Sequence, residues 1–377
     1  MFFSTRRRRP LLVATATSVT AAAATALLTL GVAAATASTT ATTPDTQAGW
    51  RASVGPGWVV DATSSSTTTA PGRRGPFTIA MISPVGVRHV VATTSLDVKI
   101  VDVSPDGRRA LALRNLPDFS SRVLEFDLAT GTSHVVSSRS VVWAQYSRPS
   151  AADVLLPDSD NLAVTRVGLD GRVLTRYRIG SLSYVVPSVN GKSIVSQSSS
   201  SRGLTVYDVT NARPVRKVAD PIGYRSCIPA GTWDATQVTL QCPKTGTSAY
   251  DVARVSTTTG ALQLLTHSGT ASGDGQFGYD RAWKIGSSVL AQRSTGCGPG
   301  PLGLLDAAGH IGTELTWPAT WAAPQVQGVT GTSVVSSSAS CFNDAPTTEL
   351  AIQDVVTHAT VTLDSAAHLS AAVVAHE

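Results

Sequence analysis

Phe126-Asp127-Leu128-Ala129-Thr130-Gly131-Thr132-Ser133-His134-Val135-Val136 reads as a strand ending in a polar residue, a turn containing glycine, and a second β-branched strand. The unit returns along the chain. Related segments run from Ile82-Ser83 to Val91, Val167 to Val173, Tyr207-Asp208 to Val218, Val255-Ser256 to Leu265, Leu305-Asp306 to Leu315 and Gln353-Asp354 to Leu363. Anchored on the residue before each turn, the copies fall at Ser83, Asp127, Val167, Asp208, Ser256, Asp306 and Asp354, with spacings of 44, 40, 41, 48, 50 and 48 residues. Seven copies of such a unit have the length of four-stranded propeller blades.

A second signal precedes some anchors. Val103-Ser104-Pro105-Asp106-Gly107-Arg108-Arg109 followed by Ala110-Leu111-Ala112-Leu113 places a tight Pro-Asp-Gly turn between an inner strand and the next. Val189-Asn190-Gly191-Lys192-Ser193 is a weaker copy. From Trp50 onward, short β-branched runs alternate with Gly, Pro, Asp, Asn and Ser clusters, without a capped stretch of helical periodicity. In motif over Val98 to Val136, and in rhythm over Trp50 to Ser365, the chain resembles the TolB-like propellers, relatives of the WD-repeat family. The Gly-His and Trp-Asp pair of true WD repeats is absent, and Trp233-Asp234 stands elsewhere in its repeat. The expected fold is all-β, a single β-propeller of seven four-stranded blades. What the resemblance alone adds is the expectation of an envelope protein acting beside a Tol-like complex.

The N-terminus has the layout of an export signal: Arg6 to Arg9, an apolar stretch from Leu11 to Ala35, and a small-residue site at Ala35-Thr36-Ala37. Arg8-Arg9-Pro10-Leu11-Leu12 also fits a loose twin-arginine pattern. We expect residues 1–37 to be a cleaved signal peptide, 38–49 a Ser/Thr-rich linker and 50–377 the propeller, placing the protein outside the cytoplasm. The alternative is an uncleaved membrane anchor. Of 30 basic residues four lie in the leader, leaving 26 against 25 acidic ones. This balance argues against nucleic acid as partner, and after cleavage no stable membrane insertion is expected.

Several local patterns dissolve in context. Gly298-Pro299-Gly300-Pro301-Leu302-Gly303 has dinucleotide-site spacing but runs into a strand, Leu304-Leu305-Asp306, where the pyrophosphate needs a helix. Asn190-Gly191-Lys192-Ser193 lacks the first P-loop glycine, its place being taken by Val186. Neither Gly-x-Ser-x-Gly nor His-Glu-x-x-His occurs. His89, His134, His310 and His358 recur at one turn, as tolerated rim residues would. Asp158-Ser159-Asp160-Asn161 lacks the remaining donors of a calcium loop. No metal and no cofactor is expected.

Function then falls to a propeller face. The connections between second and third strands, among them Thr63 to Pro76, Asn115 to Ser121, Cys242 to Ser248, Thr295 to Pro301 and Ser340 to Thr347, vary in length and composition. Tyr146, Tyr184, Tyr224, Tyr279, Trp317 and Trp321 stand between blades, where rings serve either recognition or blade packing. In an oxidising compartment the cysteines are expected to pair as Cys227–Cys242 within a blade and Cys297–Cys341 between neighbouring blades. The second bridge would gather Tyr279, Arg281, Trp321, Asn343 and Asp344 into a binding surface. The leading expectation is a monomeric, secreted, non-catalytic module that binds a protein, peptide or glycan. Its rival is a propeller enzyme, of lyase, hydrolase or quinoprotein type, with a site in the central channel.

Overall fold

The computed structural model describes residues 49–158, 163–179, 185–197, 203–269, 277–295, 298–318, 321, 323–339 and 349–374. Apart from a short 3-10 turn at Trp50–Ser53, its regular structure is β: seven sheets of four antiparallel strands. The chain is a seven-bladed β-propeller.

Six blades are continuous in sequence. In the second, Val98–Val103, Arg109–Asn115, Ser121–Asp127 and Ser133–Ser137 follow one another from the innermost strand to the outermost. The first blade is composite. Val59–Ser64, Phe77–Ile82 and Arg88–Thr94 supply three strands, and the C-terminal strand His368–Val373 supplies the innermost, pairing Val59 with Val373 and Ser64 with His368. This joins the two ends of the propeller and closes the ring. The inner strand of the seventh blade, Ala323–Thr330, and that of the second, Val98–Val103, both contact His368–Val373.

All seven repeat anchors lie at or next to the end of a third strand, ahead of the turn to the fourth. The reason is local. The Asp127 carboxylate accepts the N–H groups of Ala129 (2.8 Å) and Thr130 (2.9 Å), and Asp208 and Asp354 receive equivalent pairs from their own turns. The inner turns share a second device. Ser104 Oγ donates to Asp106 Oδ1 at 2.6 Å and accepts the Arg109 N–H at 2.9 Å; Ser188, Asn190 and Ser193 reproduce this at 2.7 and 3.0 Å. The weaker sequence copy is therefore a full structural one.

Blades stack face to face, so their central strands are covered on both sides. Ile79, Met81, Ile100 and Phe126 are buried between the first two blades, and Leu111, Tyr146 and Leu156 between the next two. Each such side chain contributes about 1.5–3 kcal/mol by leaving water. Outer strands are wetter: in Pro214–Val218 only Val218 is buried.

Two sequence expectations change. Thr295 to Pro301 is not an open connection, because Gly298–Leu305 is a strand and its partner strand runs to Thr295. Pro299 and Pro301 fit there because the register shifts between Gln292 and Ser294, and the outer strand pairs only from Gly303 onward, so no ladder hydrogen bond is demanded of them. His89 is not a bare rim residue either. Its ring stacks on Trp50 (4.6 Å) and Trp58 (5.8 Å), fixing the N-terminal turn to the first blade, whereas His134 and His358 are exposed.

Candidate functional site: the loop-bearing face

Turns from first to second and third to fourth strands share one face, the turn face. Connections from second to third strands and between blades share the other, the loop face. The N-terminal turn packs on the turn face, where it walls a groove of about 640 Å³ with Trp50, Arg51 and Val54 opposite Asp106, Arg108 and Asp127. A Cβ on Gly107 would meet Val54 Cγ1 at 2.3 Å, so this contact requires the glycine of the Ser-Pro-Asp-Gly turn.

On the loop face, the connection after Ser64 crosses from the first blade to the second and is pinned on Asp97. The buried Asp97 carboxylate accepts the Gly72 N–H (2.8 Å), Arg74 Nε (2.8 Å) and Asn115 Nδ2 (3.0 Å). Burial pushes its pKa up, but the bonds from Arg74, Asn115 and Gly72 prevail and hold it below the usual range. The Ser64 hydroxyl donates to the Arg74 carbonyl at 2.6 Å, and the His368 ring lies 2.7 Å from the Thr68 carbonyl. Gly72, at φ +75, approaches so closely that a Cβ there would lie 2.5 Å from Pro117 N.

Pro117 belongs to the hairpin that presents Phe119. The Leu116 N–H donates to the Ser120 carbonyl (2.9 Å), and the Phe119 N–H to the Leu116 carbonyl (3.0 Å). Three other hairpins have the same pair of bonds, closed by Ser83 and Val87, Gly168 and Arg172, and Asp306 and His310, and each has glycine at the left-handed position: Gly86, Gly171 and Gly309. Here that position is Phe119, at φ +64 and 83% exposed. A non-glycine residue in this region costs about 1–2 kcal/mol. The exposed ring also forgoes about 1.5–3 kcal/mol available from burial.

Two further apolar side chains stand out on this face. Val142 is 79% exposed, in a segment held by the Ser121 hydroxyl, which donates to the Val141 carbonyl. Ile222 is fully exposed at 102% in a tight turn with Gly223 at φ +86, closed by the Tyr224 N–H on the Pro221 carbonyl (3.1 Å). That turn is firmly mounted. Asp220 accepts the N–H groups of Ser226 (2.8 Å) and Cys227 (3.0 Å), and Cys227 is disulfide-bonded to Cys242 on the adjacent strand of the blade. The Tyr224 hydroxyl donates to Asp251 at 2.7 Å; burial and this carboxylate raise its pKa.

The sequence-selected residues are distributed differently. Tyr279 is fully buried, its hydroxyl oxygen accepting the Ile311 N–H at 3.3 Å, so its ring packs within the blade. Trp321 is buried, donates from Nε1 to Glu349 and stacks on Trp317 with centroids 5.2 Å apart. Tyr146 is buried too, donating its hydroxyl to Glu125 at 2.8 Å. These rings serve packing. Arg281 is exposed on the loop face beside Asp280, which accepts a bond from Gln241 of the neighbouring blade. Asn343, Asp344 and the Cys297–Cys341 pair lie outside the described residues, as does Tyr184. Phe119 and Ile222 were not singled out by sequence. The available signal was a Pro117-Asp118 turn with phenylalanine where glycine is usual.

Among the described residues no three His, Cys, Asp or Glu side chains converge as metal ligands do. Asp158, from the run weighed for calcium, is paired with Arg176 (2.6 Å) and Arg139 (3.6 Å); Ser159 to Asn161 lie outside the described residues.

No family model and no curated protein matches the chain. Solved structures do. The β-propeller domain of the Trilobed protease from Pyrococcus furiosus is similar at 12% identity over 83% of this chain and 93% of that one, with a TM-score of 0.55. The Pyrococcus horikoshii acylaminoacyl peptidase is similar at 13% identity over 83% of this chain and 51% of its own, with a TM-score of 0.54. TolB from Acinetobacter baumannii is 13% identical over 85% of this chain and 67% of its own, with a TM-score of 0.47. The chain spans about half the length of the full peptidase chains it matches. At these identities the likeness to the two Pyrococcus proteins shows the fold alone, a β-propeller; the seven blades and the pairing of His368–Val373 with Val59–Ser64 are read from this chain's own strands.

Proposed function

We propose that the protein is an extracytoplasmic, non-catalytic binding module that recognises a protein or peptide through its loop face, with Phe119 as an anchor. The observation that carries this reading is Phe119 itself: a large ring, held exposed, at a backbone position occupied by glycine in the three equivalent hairpins. Folding alone favours another residue there, and strain retained at an exposed site is a pointer to function. The rigid mounting supports it further, since an anchor ordered in advance loses less entropy on binding. The Cys227–Cys242 disulfide supports an oxidising compartment.

Asp97, Asp102, Glu125, Asp153 and Asp251 are each held by donors within or between blades, Arg74, Arg148, Tyr146, Arg166 and Tyr224 respectively, so these five carboxylates serve the packing of the ring.

The test compares immobilised mature protein with its Phe119→Gly variant in capturing exported proteins, alongside thermal unfolding of both. We expect the variant to be as stable or more stable, while a specific partner is lost. Equal capture by the two proteins refutes the role of Phe119.

A further inference from the structure

Resting on that recognition role, we propose that the segment bound at the loop face is an acidic peptide with apolar side chains among its carboxylates. A mature charge near balance conceals a difference between the two faces. On the loop face, the described carboxylates are mostly engaged inward, the exposed Asp118 and Glu314 excepted. Asp97 is held by Arg74 and Asn115, Asp220 by the Ser226 and Cys227 N–H groups, Asp251 by Tyr224 and Ser268, Asp280 by Gln241, and Glu349 by Trp321. Asp118 is exposed, its carboxylate capped by Ser120.

The arginines are arranged the opposite way. Arg73, Arg122, Arg178, Arg225 and Arg281 are exposed there and make no ion pair of their own among the described residues. On the turn face, exposed Asp106, Asp127, Asp170 and Asp306 are interleaved with Arg108, Arg172, Lys192 and Arg213, so neither sign dominates.

Anchors and cations also alternate along the chain. Arg122 follows Phe119 by three residues, Arg225 follows Ile222 by three, and Arg139 precedes Val142 by three. Guanidinium groups pair with carboxylates through planar, two-point hydrogen bonds. Exposed Ile222 and Val142 call for apolar side chains on the partner, which a sulfated glycan lacks. A peptide that alternates carboxylates with aromatic or aliphatic residues meets both requirements.

Three fluorescein-labelled twelve-residue probes test this by anisotropy: Glu-Glu-Phe-Glu, Gln-Gln-Phe-Gln and Lys-Lys-Phe-Lys, each repeated three times. A heparin fragment serves as competitor. We expect the glutamate probe to bind about tenfold more tightly than the glutamine probe and to lose about tenfold between 50 and 300 mM salt, as exposed charges are screened. The double reversal R122E and R225E should abolish that advantage. The F119G variant should weaken glutamate and glutamine probes alike. Equal binding of those two probes with dependence on Phe119 retained overturns the acidic assignment and leaves peptide recognition standing. Tighter binding of heparin at the same arginines, indifferent to F119G, overturns the peptide assignment. Probe binding unaffected by F119G overturns the recognition role itself.

Discussion

Replacing Asp61 by Asn should stabilise the protein at neutral pH and flatten its pH dependence, because Asp61 is a buried carboxyl at the ring-closing seam. It lies on Val59–Ser64, opposite Ala371 of the C-terminal strand, and is fully buried. The nearest cation, Arg88, is 3.8 Å away and gives its closer contact, 2.8 Å, to Asp364 of the seventh blade. Burial first, and then the hydrogen bond and charge of Asp364, raise the Asp61 pKa well above its ordinary value; the opposing effect of Arg88 is smaller. The folded state therefore keeps a proton that the unfolded chain releases near pH 4. Stability is full below that pH and falls as pH rises toward the folded pKa, by about 1.4 kcal/mol for each unit crossed. The amide of the D61N variant has no proton to lose and still donates a hydrogen bond toward Asp364. Urea unfolding of wild type and D61N from pH 4 to 8 measures the difference. The curves should converge at pH 4 and separate as pH rises, with D61N the more stable. A constant offset at every pH, or a less stable D61N at pH 8, would overturn this account of the seam. Arg88→Met should carry the decline in wild-type stability on to higher pH, since it removes a cation that lowers the Asp61 pKa.

Other outcomes follow from the same structure. Converting both Cys227 and Cys242 to Ser opens a link of sequence separation 15, and should cost about 3 kcal/mol in denaturant unfolding. The same change should weaken binding through Ile222 more than through Phe119; unaltered unfolding would show that the bridge contributes nothing. Gly72→Ala must place a Cβ 2.5 Å from Pro117 N at φ +75, and should cost about 2 kcal/mol or more by thermal unfolding, mainly from left-handed strain and backbone displacement. In NMR titration the Asp354 carboxylate should show a midpoint of about 2, lowered by the Thr332 hydroxyl and then the Thr357 N–H, with its contribution to stability present above the ordinary pKa and lost as pH falls through about 2. A midpoint near 4 would remove that turn from the acid limb of stability.

Much of the fold is legible in sequence because its repeating devices are local. An Asp at the end of a third strand caps N–H groups two and three residues ahead, as Asp127, Asp208 and Asp354 do, so position and partner lie within one turn. Ser104 with Asp106, and Ser188 with Asn190, are equally short-range. The Cys227–Cys242 pair follows from two cysteines on adjacent strands, whose separation is fixed by the hairpin. Blade number and disulfide placement thus emerge from periodicity and turn chemistry.

The candidate surface obeys a different logic. Whether a ring is exposed depends on what neighbouring blades place against it, and those residues are distant in sequence. Tyr279 and Trp321 suited recognition by type, yet Ile311 and Glu349 hold them inside, whereas Phe119 drew no notice and stands in solvent. Val59–Ser64 meets His368–Val373 from the far end of the chain, and Asp97 gathers Gly72, Arg74 and Asn115 from both sides of the first and second blades. The repeat, the all-β class and the turn at each anchor could be read from the residues in order, because each is written within a few positions. Ring closure, the burial of Asp61 and the segregation of charge between faces could not, since desolvation and exposure depend on neighbours that come together only in the folded ring.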